Sequence, residues 1–245
     1  MRHHRRMSGA ERLRQAVKRA RKRRAPWVRA VDALRQLGSR DGRSQLLTRL
    51  KHGGAVHQTT VHTAPDRYPA LFDAAAALHP TARRILSFGC ATGEELAALR
   101  DRWPEAEIVG ADINGRARRI ARRRTAGDPR IQVVAPGAIT GRFDAIFALA
   151  VLQREPHKIA ELGLTDLTPI YPFKRFDAAV AELVRRLAPG GLLCVMHAQY
   201  RVEDSSAADL LEPVADPARD DMLFAPDGRP IASSAQAIFR RRPDA

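Results

Sequence analysis

The chain has 245 residues, and its 44 % hydrophobic content is enough to bury the core of one α/β domain that carries an extension. Its formal net charge of +15 is uneven, because residues 1–53 carry +14 and the other 192 residues only +1. No apolar run of about 18 residues predicts a membrane span, and no signal-peptide core follows the basic N-terminus, so we expect a cytoplasmic protein. Two cysteines, Cys90 and Cys194, exclude a disulfide framework and a four-thiolate zinc site, and we expect no metal.

Residues 1–55 are predicted to be a basic extension, helical or disordered, and residues 56–245 a folded domain. Three interpretations of the extension stay open. It is a solvated tail that reflects an arginine-rich genome composition, or it binds RNA or another polyanion through phosphate contacts of residues 1–53, or it partly reflects a misassigned start codon. Its single aromatic residue, Trp27, gives no support for a base-stacking platform.

From about residue 66 the pattern changes to alternating strands and helices. The predicted helices cover residues 68–78, 94–103, 115–124 and 176–187, with a further helix near 206–211. The predicted strands cover residues 84–88, 107–111, 131–134, 143–149 and 192–197, and two short strands, 222–225 and 237–240, are expected to be joined by the turn Pro226-Asp227-Gly228. This alternation predicts a Rossmann-like α/β fold, with a mostly parallel seven-stranded sheet and helices on both faces. Ligands of such sheets bind beyond the carboxyl ends of the strands.

A glycine-containing turn follows the first predicted strand. Gly89 is expected to let the backbone bend sharply and let a ligand approach, and Gly93 to permit close packing at the start of the next helix. Asp112 ends the second predicted strand, 23 residues after Gly89. An acid at that position accepts hydrogen bonds from both ribose hydroxyls of a bound nucleoside. The alternative is that Asp112 caps the helix that follows Asn114.

Two carboxylates, Glu94 and Glu95, stand at the start of the helix after this turn. They would repel the pyrophosphate of a nicotinamide dinucleotide, which helix N-termini otherwise attract. They suit a ligand that carries positive charge, although they also complement the helix dipole. The sequence therefore disfavours a nicotinamide oxidoreductase.

Four segments in order, ILSFGCATGEE, IVGADIN, FDAIFALAVLQR and LAPGGLL, resemble class I S-adenosylmethionine-dependent methyltransferases. The resemblance covers residues 60–245, and the GCATGEE loop is similar to that of chemotaxis-receptor glutamate methyltransferases and small bacterial relatives. It implies an enzyme that transfers a methyl group from S-adenosylmethionine to a small molecule or a protein side chain. The alternative is an RNA-binding protein or RNA methyltransferase that uses the basic extension. No Asn-Pro-Pro-Tyr-type motif follows the fourth strand, which disfavours methylation of base amino groups.

The resemblance also assigns a cofactor site. It implies that the loop residues hold the methionine part, Asp112 the ribose and Ile113 the adenine, while backbone amides near Ala138 replace an acid found in many relatives. Leu149 and Ala150 would close the pocket, and Arg67 is either near the cofactor or an exposed arginine at a helix start. The loop residues are Gly89, Cys90, Ala91, Thr92, Gly93 and Glu94.

The acceptor side is less defined. His197, at the end of the fifth predicted strand, is the best candidate for a general base, although an ordinary strand-end residue fits equally and a carboxylate acceptor needs no base. The insert 155–175 is expected to lie at the pocket mouth and to influence acceptor selection.

Overall fold

The structure is a computed structural model that describes residues 42–44, 66–156, 159, 161, 163–215, 222–232 and 235–243. Cα proximity divides the chain into two units, Met1–Leu47 and Thr48–Ala245. Apart from residues 42–44, the predicted extension and its boundary at residue 55 lie outside the described residues, as do its proposed contacts with RNA. Within the described part, no helix has the length and apolar character needed to cross a membrane.

The second unit is organised around a seven-stranded sheet. The strands with described bounds are β1 Arg84–Phe88, β2 Glu107–Ala111, β3 Ile131–Val134, β4 Phe143–Leu149, β5 Leu187–Met196, β6 Leu211–Ala215, β7 Leu223–Phe224, β8 Pro230–Ile231 and β9 Ile238–Arg241. Their order in the sheet is β3-β2-β1-β4-β5-β9-β6. Strands β1 to β5 pair in parallel, whereas β9 is antiparallel to both of its neighbours, β5 and β6. Two further strands, β7 and β8, form a separate hairpin.

Helices cover both faces of the sheet and create two core layers. The helices are α1 Pro69–Leu78, α2 Glu94–Arg102, α3 Gly115–Arg124 and α4 Phe173–Arg185. In β1, Ile85 belongs to the layer under α1 and α2, and the next residue, Leu86, to the layer under α4. Successive side chains of a strand point to opposite faces, so a strand covered on both sides is mostly apolar. This holds for β1 and β4, in which the polar residues are Arg84, Ser87 and Asp144.

The predicted fold class is confirmed, and the bounds of β1 to β4 and α3 agree with the sequence prediction. Strand β5 begins at Leu187 rather than at residue 192, because the expected turn at Gly190 and Gly191 is a bulge inside the strand. Its pairing with β4 shifts register between Phe143 and Ala145. A Cβ on Gly191 would lie 2.9 Å from the Ala188 carbonyl oxygen, so the bulge requires glycine there.

Two local predictions near the C-terminus are wrong. The helix expected at 206–211 is a single 3-10 turn, Ala208–Leu210, followed by β6, because pairing with the distant β9 outweighs a local helical preference. The turn Pro226-Asp227-Gly228 joins β7 to β8, not to β9. It is closed by hydrogen bonds from Ala225 N to the Arg229 carbonyl at 2.8 Å and from Gly228 N to the Ala225 carbonyl at 2.8 Å.

Candidate active site

The glycine-containing turn between β1 and α2 lies at the carboxyl edge of the sheet. Gly89 N and Cys90 N both donate to the Ala111 carbonyl, at 2.7 and 3.1 Å, which fixes the turn against the end of β2. Its backbone bends through three left-handed residues, Gly89 (φ +89°), Ala91 (φ +47°) and Gly93 (φ +92°). Glycine adopts this conformation without strain, whereas at Ala91 the surrounding contacts must impose it.

The two glycines of the turn make close contacts on different sides. A Cβ on Gly93 would lie 3.1 Å from the Ala121 Cβ of α3, so Gly93 allows the close helix packing that the sequence predicts. A Cβ on Gly89 would lie 2.8 Å from Cγ2 of Val151. The missing side chain of Gly89 therefore leaves room for Val151, and the approach of a ligand to the Gly89 backbone stays a prediction.

Asp112 connects the end of β2 to the glycine turn. Its Oδ2 accepts a hydrogen bond from Ala91 N at 3.0 Å, and its Oδ1 accepts one from Asn114 N at 2.7 Å. The cap of α3 is Asn114, whose Oδ1 accepts from Arg116 N and Ala117 N. The alternative in which Asp112 caps this helix is therefore wrong. Burial raises the pKa of Asp112, while the hydrogen bonds from Asn114 and Ala91 oppose that rise.

The two carboxylates at the start of α2 have different surroundings. Glu94 accepts a hydrogen bond from the Thr92 hydroxyl at 2.6 Å and forms an ion pair with Arg124. Burial alone would raise the pKa of Glu94, but the hydrogen bonds, including those from Thr92 and Arg124, outweigh it and lower the pKa. The charge of Glu94 is thus compensated by the protein.

Glu95 lies deeper, beneath the turn. The Ser87 hydroxyl of β1 donates to its Oε1 at 2.7 Å. The positive charge of Arg67 favours the ionised form of the same carboxyl group. Burial raises the pKa of Glu95 to about 7, and the Ser87 hydrogen bond and Arg67 oppose the rise only in part. Burial is the main cause that raises the pKa of Cys90 and of Cys194, and the charge of Glu95 adds to both. Sequence reasoning noted the pair but named only Glu94 as a site residue.

The other predicted site residues surround this edge. The Cys90 side chain is buried among core residues, and burial raises its pKa, so the thiol is neutral. Ile113 directly follows Asp112 and is partly exposed, and Ala138 is exposed in the 3-10 turn after β3. Leu149 is buried at the end of β4, and Ala150 follows it in a left-handed conformation with φ +54°.

Three side chains form a stack at the end of β5. The ring of Tyr68 lies 5.5 Å from the ring of His197, and the guanidinium carbon of Arg67 lies 5.1 Å from the Tyr68 ring centroid. His197 also has a left-handed backbone, with φ +52°. Strained non-glycine residues concentrate at functional sites, and Ala91, Ala150 and His197 follow three strands at one edge of this sheet. Periodicity in the sequence carries no signal for this strain.

No group of histidine, cysteine, aspartate and glutamate side chains suited to a metal ion occurs among the residues that the structure describes. This edge brings together two partly buried carboxyl groups, a glycine turn whose amides at Gly89, Cys90, Ala91 and Gly93 bind acceptors within the protein, and the Arg67–Tyr68–His197 stack.

Comparison with known proteins bears on the family of this chain. A family model described as a methyltransferase domain matches residues 60–225. The trans-aconitate 2-methyltransferase of Acidovorax sp. (strain JS42) is 30 % identical over 174 residues, which are 70 % of this chain and 60 % of that protein. The demethylmenaquinone methyltransferase of Thermus thermophilus is 31 % identical over 129 residues, 49 % of each chain.

Among solved structures, S-adenosylmethionine-bound CalS10, an amino pentose methyltransferase from Micromonospora echinaspora, overlaps 58 % of this chain and 53 % of its own, with 25 % identity and a TM-score of 0.42. The chain thus spans about three fifths of the length of the first curated relatives it matches. The family model, in contrast, covers well over half of the chain. The predicted family is confirmed: this chain belongs to the methyltransferase domain family, whose methyl donor is S-adenosylmethionine.

Proposed function

We propose that this chain transfers the methyl group of S-adenosylmethionine to a small carboxylic acid. The observation that carries the proposal is the Asp112 carboxylate, which is attached to the glycine turn by one oxygen and to the start of α3 by the other. Each carboxylate oxygen has two lone pairs, and each accepts one backbone hydrogen bond here, so both retain a lone pair for a ligand. Two such acceptors side by side match the two hydroxyls of a ribose.

The second element is the compensation of charge at the start of α2. Arg124 neutralises Glu94, so that residue has little charge to offer a ligand. Glu95 has a pKa of about 7 in the absence of ligand, and a nearby cation would favour its ionised form. We therefore assign the contact with the positively charged methionine end of the cofactor to Glu95, and a supporting role in the turn to Glu94 and Thr92.

The acceptor class rests on the chemistry of the pocket mouth and on the relatives. The donor, when bound, supplies a methyl group made electrophilic by a cationic sulfur. A carboxylate acceptor is already a nucleophile, so the protein has only to align it with the methyl carbon and to exclude water. The guanidinium of Arg67 suits an anionic acceptor, and a relative that matches 70 % of this chain is named for trans-aconitate, a carboxylic acid. In this proposal His197 orients the acceptor and accepts no proton.

Isothermal titration calorimetry with S-adenosylhomocysteine tests the cofactor site. Asp112→Ala removes both acceptors and should weaken binding by at least about 100-fold, because two hydrogen bonds to a charged group contribute about 1.5–3 kcal/mol each. Asp112→Asn retains one oxygen acceptor and should lose less. Asp209→Ala, which removes an exposed acid from the turn before β6, is the matched control and should bind normally. Wild-type protein that binds NAD⁺ but not S-adenosylhomocysteine would refute the proposal.

A further inference from the structure

The loops that follow β4 and β5 remain joined beyond the last pair of the two strands. Ala150 N donates to the Met196 carbonyl at 2.8 Å, and Gln199 N donates to the Leu152 carbonyl at 3.4 Å. The side chain of Gln199 then binds the backbone of Arg154 twice. Its Oε1 accepts from Arg154 N at 2.7 Å, and its Nε2 donates to the Arg154 carbonyl at 3.0 Å. One carboxamide thus replaces the next pair of backbone groups that a longer strand would have supplied.

The loop held in this way forms one wall of the site. Ala150, for which the family resemblance implies a place in the pocket, lies at its start, and Val151 fills the space left by the missing side chain of Gly89. A second carboxamide, that of Gln153, donates from Nε2 to the Ala150 carbonyl at 3.1 Å. Residues 150–154 are therefore fixed at one end by the glycine turn and at the other by Gln199.

Burial makes the Gln199 contact specific. The side chain is only 4 % exposed, so water cannot replace the two hydrogen bonds if they are lost. The orientation of the carboxamide is also determined, because only its oxygen can accept from Arg154 N and only its nitrogen can donate to the Arg154 carbonyl. A residue of similar size without this pattern of one donor and one acceptor cannot form both bonds.

We propose that Gln199 is a positioning residue for the cofactor: by binding both backbone groups of Arg154, it holds Ala150 and Val151 against the glycine turn. The same residue lies two positions after His197, so the segment that carries the Arg67–Tyr68–His197 stack is connected through Gln199 to the loop beside the glycine turn. The proposal rests on the proposed function, since the cofactor is the ligand whose pocket this wall completes.

The test measures S-adenosylhomocysteine affinity by calorimetry, and hydrogen–deuterium exchange of residues 150–154 in the full-length chain. Gln199→Met removes both bonds and should weaken affinity about tenfold and speed exchange at this segment, because a lost buried bond leaves the Arg154 groups unsatisfied. Gln199→Glu should bind the ligand as weakly as Gln199→Met at pH 8. An ionised carboxylate can accept from Arg154 N, but it has no hydrogen to donate to the Arg154 carbonyl. Relative to wild type at the same pH, this variant should recover affinity towards pH 5, where a protonated carboxyl can donate.

The matched control is Thr125→Val, which removes a buried hydrogen bond from the Thr125 hydroxyl to the Ala121 carbonyl at the opposite end of α3. It should lower stability without changing affinity. Unchanged affinity in Gln199→Met, an equal loss of affinity in Thr125→Val, or a Gln199→Glu variant that stays weak at pH 5 would overturn the proposal. Wild-type protein that fails to bind S-adenosylhomocysteine would instead overturn the proposed function. The wild-type measurement therefore separates a failure of the proposed function from a failure of the role of Gln199.

Discussion

Replacing Glu95 by glutamine removes a buried charge but keeps an oxygen that can accept the Ser87 hydroxyl. Burial raises the pKa of Glu95 from 4.5 to about 7 in the folded protein. An acid whose pKa is raised by folding costs no stability below its unfolded pKa. The cost grows as the pH rises between the two values and is complete above the folded one. One pKa unit corresponds to about 1.4 kcal/mol, so the cost of Glu95 is about 1 kcal/mol at pH 5 and about 3 kcal/mol at pH 8.

Glu95→Gln should therefore stabilise the ligand-free protein by about 3 kcal/mol at pH 8 and by much less at pH 5, measured by urea denaturation. In a chain of this size each kcal/mol corresponds to about 2–4 °C in Tm. The same variant should bind S-adenosylhomocysteine more weakly, because it lacks the charge that we assign to the methionine end.

Glu94→Gln is the matched control for Glu95→Gln. The pKa of Glu94 is lowered, so its charge contributes stability above the unfolded pKa, and that contribution is lost as the pH falls through the folded pKa. The control should therefore destabilise the protein at neutral pH. Equal stability of Glu95→Gln and wild type at pH 8, or unchanged affinity for the ligand, would refute the assignment of a buried, ligand-facing carboxyl at position 95.

Three substitutions test the framework around the site by thermal or urea denaturation. Gly89→Ala should cost about 1–3 kcal/mol, because its φ of +89° is unfavourable for alanine and its Cβ would overlap Val151; a loss below about 0.5 kcal/mol would contradict the contact. Arg100→Met should cost about 2–3 kcal/mol, since Arg100 donates to Asp128 and to three carbonyl groups between α2 and β2; a neutral effect would show that these bonds add nothing. Asn114→Ala should lower the free energy of unfolding by about 1 kcal/mol, because it removes the cap of α3. Asn114→Asp keeps a capping oxygen and should retain most of this stability; equal losses in the two variants would contradict the role of the cap.

Much of the fold follows from local patterns. Strands β1 to β4 are short, mostly apolar segments. The bounds of β1, β2 and β4 could be predicted because their central positions are buried and admit few polar side chains, and the edge strand β3 could be predicted from the apolar residues on either side of the exposed Gln132. Strand β6 could not be predicted, since Leu211–Ala215 includes Pro213 and only its pairing with β9 makes it a strand. Contacts between segments distant in sequence decided the outcome there.

The site divides in the same way. The glycine turn and Asp112 are recognisable because their spacing reflects a backbone requirement. The different surroundings of Glu94 and Glu95 could not be predicted, because they depend on Arg124, 30 positions away, and on Ser87 across the turn. The role of Val151 against Gly89 was likewise hidden, since sequence alone does not show which segment covers a bare glycine.

The position of β9 has a consequence for the order in which this domain can be assembled. Residues 238–241 leave the ribosome after all the other strands, yet they lie between β5 and β6. Until they arrive, β5 presents an unpaired edge, and β6 has no neighbour in the main sheet. A nascent chain, or a truncated one that ends before Ile238, would therefore expose the edge of β5 to other molecules. Deleting residues of β9 should favour aggregation more than deleting the same number of residues in the β7–β8 hairpin.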